Sequence, residues 1–488
     1  MEQNKSRNLV VNFKAFIIIE IISITIIVLE VYICHDLFKL PNIVSFQNPP
    51  TITDNKEAIE FTLRLDPTDI NFQFNGSGAA VDYELSKFCE NKKCKIPLII
   101  GGKVKFTLVR GSKLLYEENL ELSEQKFYCT SNDWSTRLCV AHDICYGYDI
   151  YSLTSPYPIK FDTPLLTLGS HGAPSDFPHG RIHNFQDQSD LLGSLPYVRN
   201  TTNVMFAGSM LDHDWQLYYD FLIPMYLTLT EEGKFQKDHR IFFPFFNSRN
   251  VPHISSAFSN YKTSTIGIPM CFEKLVLGMH KVTESKQSPN DPQYVFPSNV
   301  DITGFKRIIF NFFDINSFPQ KDSSHKKIIL VNHESPRKIT NIDEVKDALK
   351  EIYDNNCDIE IIDISAMSVK SKILKIGNAD VLVGAHGSAL ANLLWMEQGK
   401  TVIEIFPYGF NCRNWYEKAA KLSKIKYISY HPKDENELVT KDELDEYAKE
   451  CYSGKRECNS PLCIPILKEK DINVNIKSFI QEIRNQMN

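Results

Sequence analysis

Residues 379–407, ADVLVGAHGSALANLLWMEQGKTVIEIFP, decide the fold. Val381, Leu382 and Val383 form a short apolar run, the pattern of a strand covered on both faces of a parallel sheet. Gly384 and Gly387 then let the backbone bend and come close to a ligand, and Ser388 is placed to cap a helix over 389–396. A second apolar strand, VIEIF, follows and carries Glu404. The first N–H groups of the helix and the positive end of its dipole point outward where the first strand ends, an arrangement that suits a diphosphate. Neither GxGxxG nor GxxxxGK[ST] is present, so neither the dinucleotide nor the P-loop pattern applies.

The same rhythm extends to both sides. From 326, the strand KIILVNH leads through a loop with Arg337 to a helix, with Asn341 as its cap and Glu344 placed for a capping box. Val345, Ala348, Leu349 and Ile352 share the apolar face of that helix. The strand DIEIIDIS, a helix near 369–377, the strand DVLVG, the helix 389–396, the strand TVIEIFP, a helix 413–424 and the strand KYISYH then alternate without a break. Such alternation predicts a parallel sheet wound on both faces, over 321–488 with a C-terminal extension. A first α/β domain is predicted over 125–320, its clearest helix being 212–229, read as amphipathic with exposed acids. Residues 57–122 read as hairpins of a small β-rich subdomain, one of them around Arg110-Gly111-Ser112. Residues 35–56, with Pro41, Pro49 and Pro50, read as an extended stem.

The N-terminus predicts a membrane anchor. Lys5, Arg7 and Lys14 precede an Ile-rich run, giving a cytoplasmic tail over 1–14 and a single span over 15–34. No small-x-small cleavage site follows it, so a signal-anchor is favoured over a cleaved signal peptide. Eleven of the twelve cysteines lie beyond the span, as expected of a chain whose body is in an oxidising lumen. An odd number leaves at least one thiol free, with Cys271 and Cys357 as candidates for a buried one. Cys139, His142 and Cys145 with Cys129 are a weak zinc alternative, because no CxxC knuckle is present. A net charge of -6 over 488 residues, without a basic stripe, argues against nucleic acid as a partner.

Gly384, His386, Gly387, Ser388 and Leu390, followed by Val402, Ile403, Glu404 and Ile405, resemble the G-x-H-G-[AS]-x-L turn and V-[IV]-E-[IL] strand of glycosyltransferase family 61. The resemblance runs from about 125 to about 435 and is most specific in its last third. Within the family the chain is similar to the endoplasmic-reticulum enzymes that add N-acetylglucosamine to O-mannose or to EGF-domain hydroxyls, since Phe406-Pro407-Tyr408 also matches theirs. The resemblance implies two doubly wound Rossmann-like α/β domains facing a cleft, the B-type glycosyltransferase architecture. It implies inverting transfer from a UDP-sugar, with UDP-N-acetylglucosamine as the first candidate donor and UDP-xylose as its rival. The acceptor is then a protein or glycan hydroxyl in the endoplasmic reticulum or Golgi, and the basic residues before the span predict Nin–Cout topology for the chain. A glycan-binding relative without catalysis is the alternative from another class.

Such transfer needs positive charge for the departing diphosphate and a base for the acceptor proton. For the donor, Arg337 matches the second Arg of the family's R-x(3)-R pair, and His333 stands where the first Arg is expected. His386, Gly384, Gly387 and Ser388 form the turn, and Glu404 is expected to meet ribose hydroxyls, with a Lys or backbone amides as competing partners. For catalysis, Asp220 matches a family Asp, but Gln216 replaces the family's His four residues earlier. His213 is the only nearby substitute, and His386, read as exposed to the cleft, is the third candidate. Asp212-His213-Asp214 spells DxD, yet it begins a helix rather than ending a strand, so no metal is expected.

Overall fold

The computed structural model describes residues 46–487, apart from 55, 77–78, 123–124, 131–137, 148–149, 162–180, 186–194, 209–210, 232–233, 245–249, 281–295, 297–299, 319–324, 434–437 and 440–444. The predicted span 15–34 lies outside the described residues, and no helix among those described is long and apolar enough to cross a membrane. The chain forms two compact units, one of residues 1–125 with 156–159, the other of residues 126–155 with 160–488.

The smaller unit contains two sets of antiparallel strands. The hairpin predicted at Gly111-Ser112 is present, with Arg110 opposite Lys113 and Gly111 at a positive φ of 58°. Part of the expected stem is a strand instead. Phe46–Ile52 pairs with Ala58–Leu63 at a sheet edge, where Pro49 and Pro50 cost no ladder bond, and Phe46 packs against Phe61 and Tyr116.

Among the described residues, the larger unit has two main sheets, besides two small two-stranded ones. The first includes β1 (Cys139–Gly147), β2 (Thr202–Met205), β3 (His239–Phe243), β4 (Ser264–Thr265) and β5 (Met270–Leu277). Strands β5, β2, β3 and β4 are parallel neighbours, whereas β1 pairs with β5 antiparallel, so this sheet is mixed. Cys145 and Cys271 face each other across β1 and β5 and are disulfide-bonded, so Cys271 is not a free thiol; Cys129 bonds Cys139. Those bridges remove the sulfurs of the zinc alternative. Cys357 is the free cysteine among the described residues.

The second sheet is built as the alternation predicts. Its elements are β6 (Lys326–Val331), α1 (Ile342–Ile352), β7 (Cys357–Ile362), α2 (Val369–Gly377), β8 (Val381–Ala385), a 3₁₀ helix (Ser388–Trp395), β9 (Thr401–Ile405), α3 (Trp415–Ser423) and β10 (Lys426–Tyr430). All five strands are parallel, in the order β7-β6-β8-β9-β10. Beyond β10 come α4 (Glu446–Tyr452), α5 (Cys463–Lys468) and α6 (Ile476–Met487). Alternate side chains serve opposite faces: Ile328, Leu330, Val381, Val383 and Ile403 pack with α1 and α6, while Ile329, Val331, Leu382 and Val402 join the core shared with the first sheet.

The 212–229 segment lies in that shared core. Gln216–Leu222 is a π-helix that continues into the α-helix Ile223–Thr228, and every side chain of the π-helix is buried. The expected amphipathic helix with exposed acids is therefore corrected at Asp214 and Asp220, whereas Asp212, in the turn before the helix, is exposed as expected. A helix packed between two sheets has no solvent face, and here even Asp214 and Asp220 are buried. Asp214 is accommodated by bonds from Lys372 Nζ on α2, at 2.7 and 2.9 Å, and from Asn392 Nδ2 at 2.6 Å. Asn341 stands at the N-cap position as predicted, but its side chain does not cap the helix. Its side-chain oxygen accepts from Val474 N–H, and Glu344 bonds the Asn341 side chain instead of completing a capping box.

Candidate active site

The order β7-β6-β8-β9-β10 reverses between β6 and β8, and open parallel sheets bind ligands beyond the carboxyl ends of the strands at such a point. The loop after β6 carries Arg337, and β8 runs out into His386, Gly387 and Ser388. Arg337 takes a left-handed φ of 71°, and its Nη1 donates to the His386 carbonyl at 3.4 Å. Gly387 lies directly beside that guanidinium: a Cβ there would come to 3.4 Å from the nitrogen, an ordinary contact distance. The Arg337 loop is held from far along the chain: Lys338 N–H donates to Asp471, Thr340 N–H to the Ile472 carbonyl, and Ile339 bridges Ile472.

The helix that opens here differs from expectation. It is a 3₁₀ helix beginning at Ser388, and Gly387, with extended backbone and no side chain, occupies the cap position. Ser388 is thus a first-turn residue and not the cap. Leu390 N–H bonds the Gly387 carbonyl, which leaves the N–H groups of Ser388 and Ala389 without intrahelical acceptors. Gly384 lies within β8, not in the turn, and a Cβ there would meet Leu390 and Val331 at ordinary contact distances of 3.4–3.5 Å.

His386 is corrected most. Its backbone extends the β8–β9 ladder by donating to Ile405, and its ring is 2% exposed, packed against Phe406, Phe410 and Tyr416. Nδ1 lies 2.5 Å from Oε1 of Glu404, which is fully buried, and Tyr427 donates to the other Glu404 oxygen at 2.5 Å. Glu404 is therefore partnered by His386 and Tyr427, and neither ribose nor Lys is needed to explain it.

The His386–Glu404 pair holds one proton between its members, whichever atom carries it. Burial pushes the imidazolium well below its usual range, with Arg413, Arg337 and Lys468 adding to the effect. Burial also pushes the Glu404 carboxyl up to about 8, against the Tyr427 bond and His431 and with help from Glu417. In the unfolded chain the two groups titrate near their ordinary values of 4.5 and 6.5. The folded pair thus loses stability as pH falls below about 4.5, because His386 resists a second proton. It also loses stability as pH rises above about 6.5, because Glu404 keeps its proton up to about 8. The unfolding midpoint of the parent is expected to decline across that upper window, and Glu404→Gln should flatten the decline. Equal slopes in the two proteins over that window would show that the pair does not titrate in this way.

The remaining candidates are placed apart. His333 Nδ1 faces the Asp363 carboxylate at 3.4 Å, a partner that opposes a phosphate role. His213 is exposed at the start of the 212–229 helix and is not brought to the His386 group. Asp220 is buried in the π-helix; the link from this segment to the His386 group is Trp215, which packs on Tyr416, which packs on His386. Sequence reading missed Tyr427, Tyr416, Arg413 and Lys468. Arg413, in the loop after β9, had one signal, since that loop leaves the carboxyl end of a strand neighbouring β8; its guanidinium lies 4.2 Å above the Trp415 ring.

A cation beside a helix N-terminus at the switch point of a parallel sheet, without a P-loop, suits a nucleotide-sugar enzyme, and the comparisons with known proteins agree that the chain is a glycosyltransferase. Residues 226–403 match the model of the Glycosyltransferase 61 family, which the chain resembles as its motifs imply. The protein O-linked-mannose β-1,4-N-acetylglucosaminyltransferase 2 of Xenopus tropicalis is 24% identical over 407 residues, covering 74% of this chain and 69% of that protein. The Homo sapiens protein of the same name is 24% identical over 305 residues, covering 56% and 52%. A β-1,2-xylosyltransferase of Oryza sativa subsp. japonica is 22% identical over 229 residues, covering 44% and 39%. Such relatives imply a nucleotide-sugar donor and a glycan or protein acceptor.

Proposed function

We propose that this chain is an inverting transferase of N-acetylglucosamine from UDP-N-acetylglucosamine to a protein or glycan hydroxyl, with B-type architecture, anchored in the endoplasmic reticulum or Golgi with its body in the lumen. The observation that carries the reading is Arg337, held by the His386 carbonyl beside Gly387 at the β6/β8 switch point, where the 3₁₀ helix opens at Ser388, within the segment that matches the family. In this reading the acceptor oxygen bonds to the anomeric carbon as the bond from that carbon to the β-phosphate oxygen breaks. The acceptor proton passes to a base, for which Asp220 is the family-matched candidate. The diphosphate leaves against Arg337 and the helix N–H groups. His386 is a positioning residue here: locked by Glu404, it presents the carbonyl that orients Arg337. A pentosyl donor is the second reading, favoured by the similarity to the rice xylosyltransferase.

One experiment tests the set. Sealed microsomes carrying the full chain are treated with protease from outside, opened with detergent, and assayed with UDP-N-acetylglucosamine or UDP-xylose and an O-mannosyl peptide. Transfer of N-acetylglucosamine should survive both the protease and EDTA, since Asp214 of the DxD is bound to Lys372. Loss to outside protease would reverse the topology, EDTA loss restored by manganese would reverse the metal-free reading, and preference for UDP-xylose would select the second donor. Absence of UDP release from either donor would sink the function.

A further inference from the structure

We propose that Lys468 and Arg413, both outside the segment that matches the family, complete with Arg337 a three-cation seat for the donor's diphosphate, and that the disulfide-bonded C-terminal extension exists in part to deliver Lys468 there. The proposal rests on the glycosyl-transfer reading of the same site. Phe406 and Phe410, which flank the His386 ring, form one apolar cluster with Cys451, Cys463 and Leu467, and so seat α4 and α5 beside the strand ends. Gly409, at a φ of 76°, lets the chain pass against that pair of helices: a Cβ there would lie 3.1 Å from Tyr452 and 3.2 Å from Leu467. Lys468 follows Leu467 directly. Two disulfides fix the arrangement, Cys412–Cys458 beside Arg413 and Cys451–Cys463 between α4 and α5.

Like charges gather where these parts meet. Burial pushes the Lys468 ammonium down, and Arg337 and Arg413 push it further, while all three cations act together on His386. Among the described residues, no carboxylate forms an ion pair with Arg337 or Lys468, and the acid that counters Lys468 is its exposed neighbour Glu469. Cations held together against their own repulsion are stabilised by an arriving polyanion, and a diphosphate fits three of them.

Calorimetric titration of the full chain with UDP and, separately, with inorganic pyrophosphate tests this. Lys468→Gln should weaken both by about tenfold or more, Lys468→Arg should keep parental affinity, and both should melt like the parent. Parental affinity for both ligands in Lys468→Gln would overturn the seat and leave the transferase reading standing. Pyrophosphate binding that depends on Lys468, without UDP binding, would support the seat and remove the uridine donor. Binding of neither ligand by the parent would overturn both.

Discussion

Asp214→Ala is expected to destabilise the larger unit by about 3–5 kcal/mol, because it strands a buried ammonium. Asp214 and Lys372 are each 7% exposed, and the carboxylate takes both Lys372 bonds. Asn392 loses one acceptor but keeps the Ala389 carbonyl. Trp215, Trp395 and Trp415 lie in the same core, so urea unfolding followed by tryptophan fluorescence reads the loss directly. Removing both charges, in Asp214→Leu with Lys372→Met, should cost clearly less than the sum of the single changes. If Asp214→Ala stays within about 1 kcal/mol of the parent, the pair is not the junction between the two sheets.

His386→Ala should also be severe, on the order of 3 kcal/mol or more, since it opens a cavity among three aromatic rings and takes one partner from a buried carboxyl. A ring exposed to the cleft, as the sequence suggests, would make this substitution nearly harmless to the fold, but the ring is in the core. UDP affinity should fall as well, because the carbonyl that orients Arg337 belongs to the same residue. His386→Gln, which retains a donor for Glu404, should recover much of the stability and separate the two effects. A His386→Ala protein with the parental urea midpoint and parental UDP affinity would deny the residue both roles.

Local signals made much of this legible. The strand-helix alternation after 326 needs only hydrophobic period and turn residues, and all five strands fall where that period puts them. Lateral relations were not legible, because nothing in a strand's own sequence says which residue lies across from it. Glu404 sits opposite Gly384 in the ladder, and only that register brings its carboxylate to His386, one step past the end of β8. Asp214 and Lys372 are 158 positions apart, so the acid on the 212–229 helix was read as exposed. Asn341 carried a cap signature, but its side chain is taken by Val474, 133 positions on. Lys468 had no local signal beyond the nearby cysteines, whose pairing spacing alone does not fix.

The hold on the Arg337 loop bears on how the protein is made. The bonds that fix this loop come from Asp471 and Ile472, more than 130 positions downstream. All five strands of the parallel sheet precede Asp471 in the chain, so the donor end is anchored by residues made after the sheet itself. A chain cut after Tyr430 would keep all five strands of the open sheet and leave Arg337 without the bonds that hold its loop.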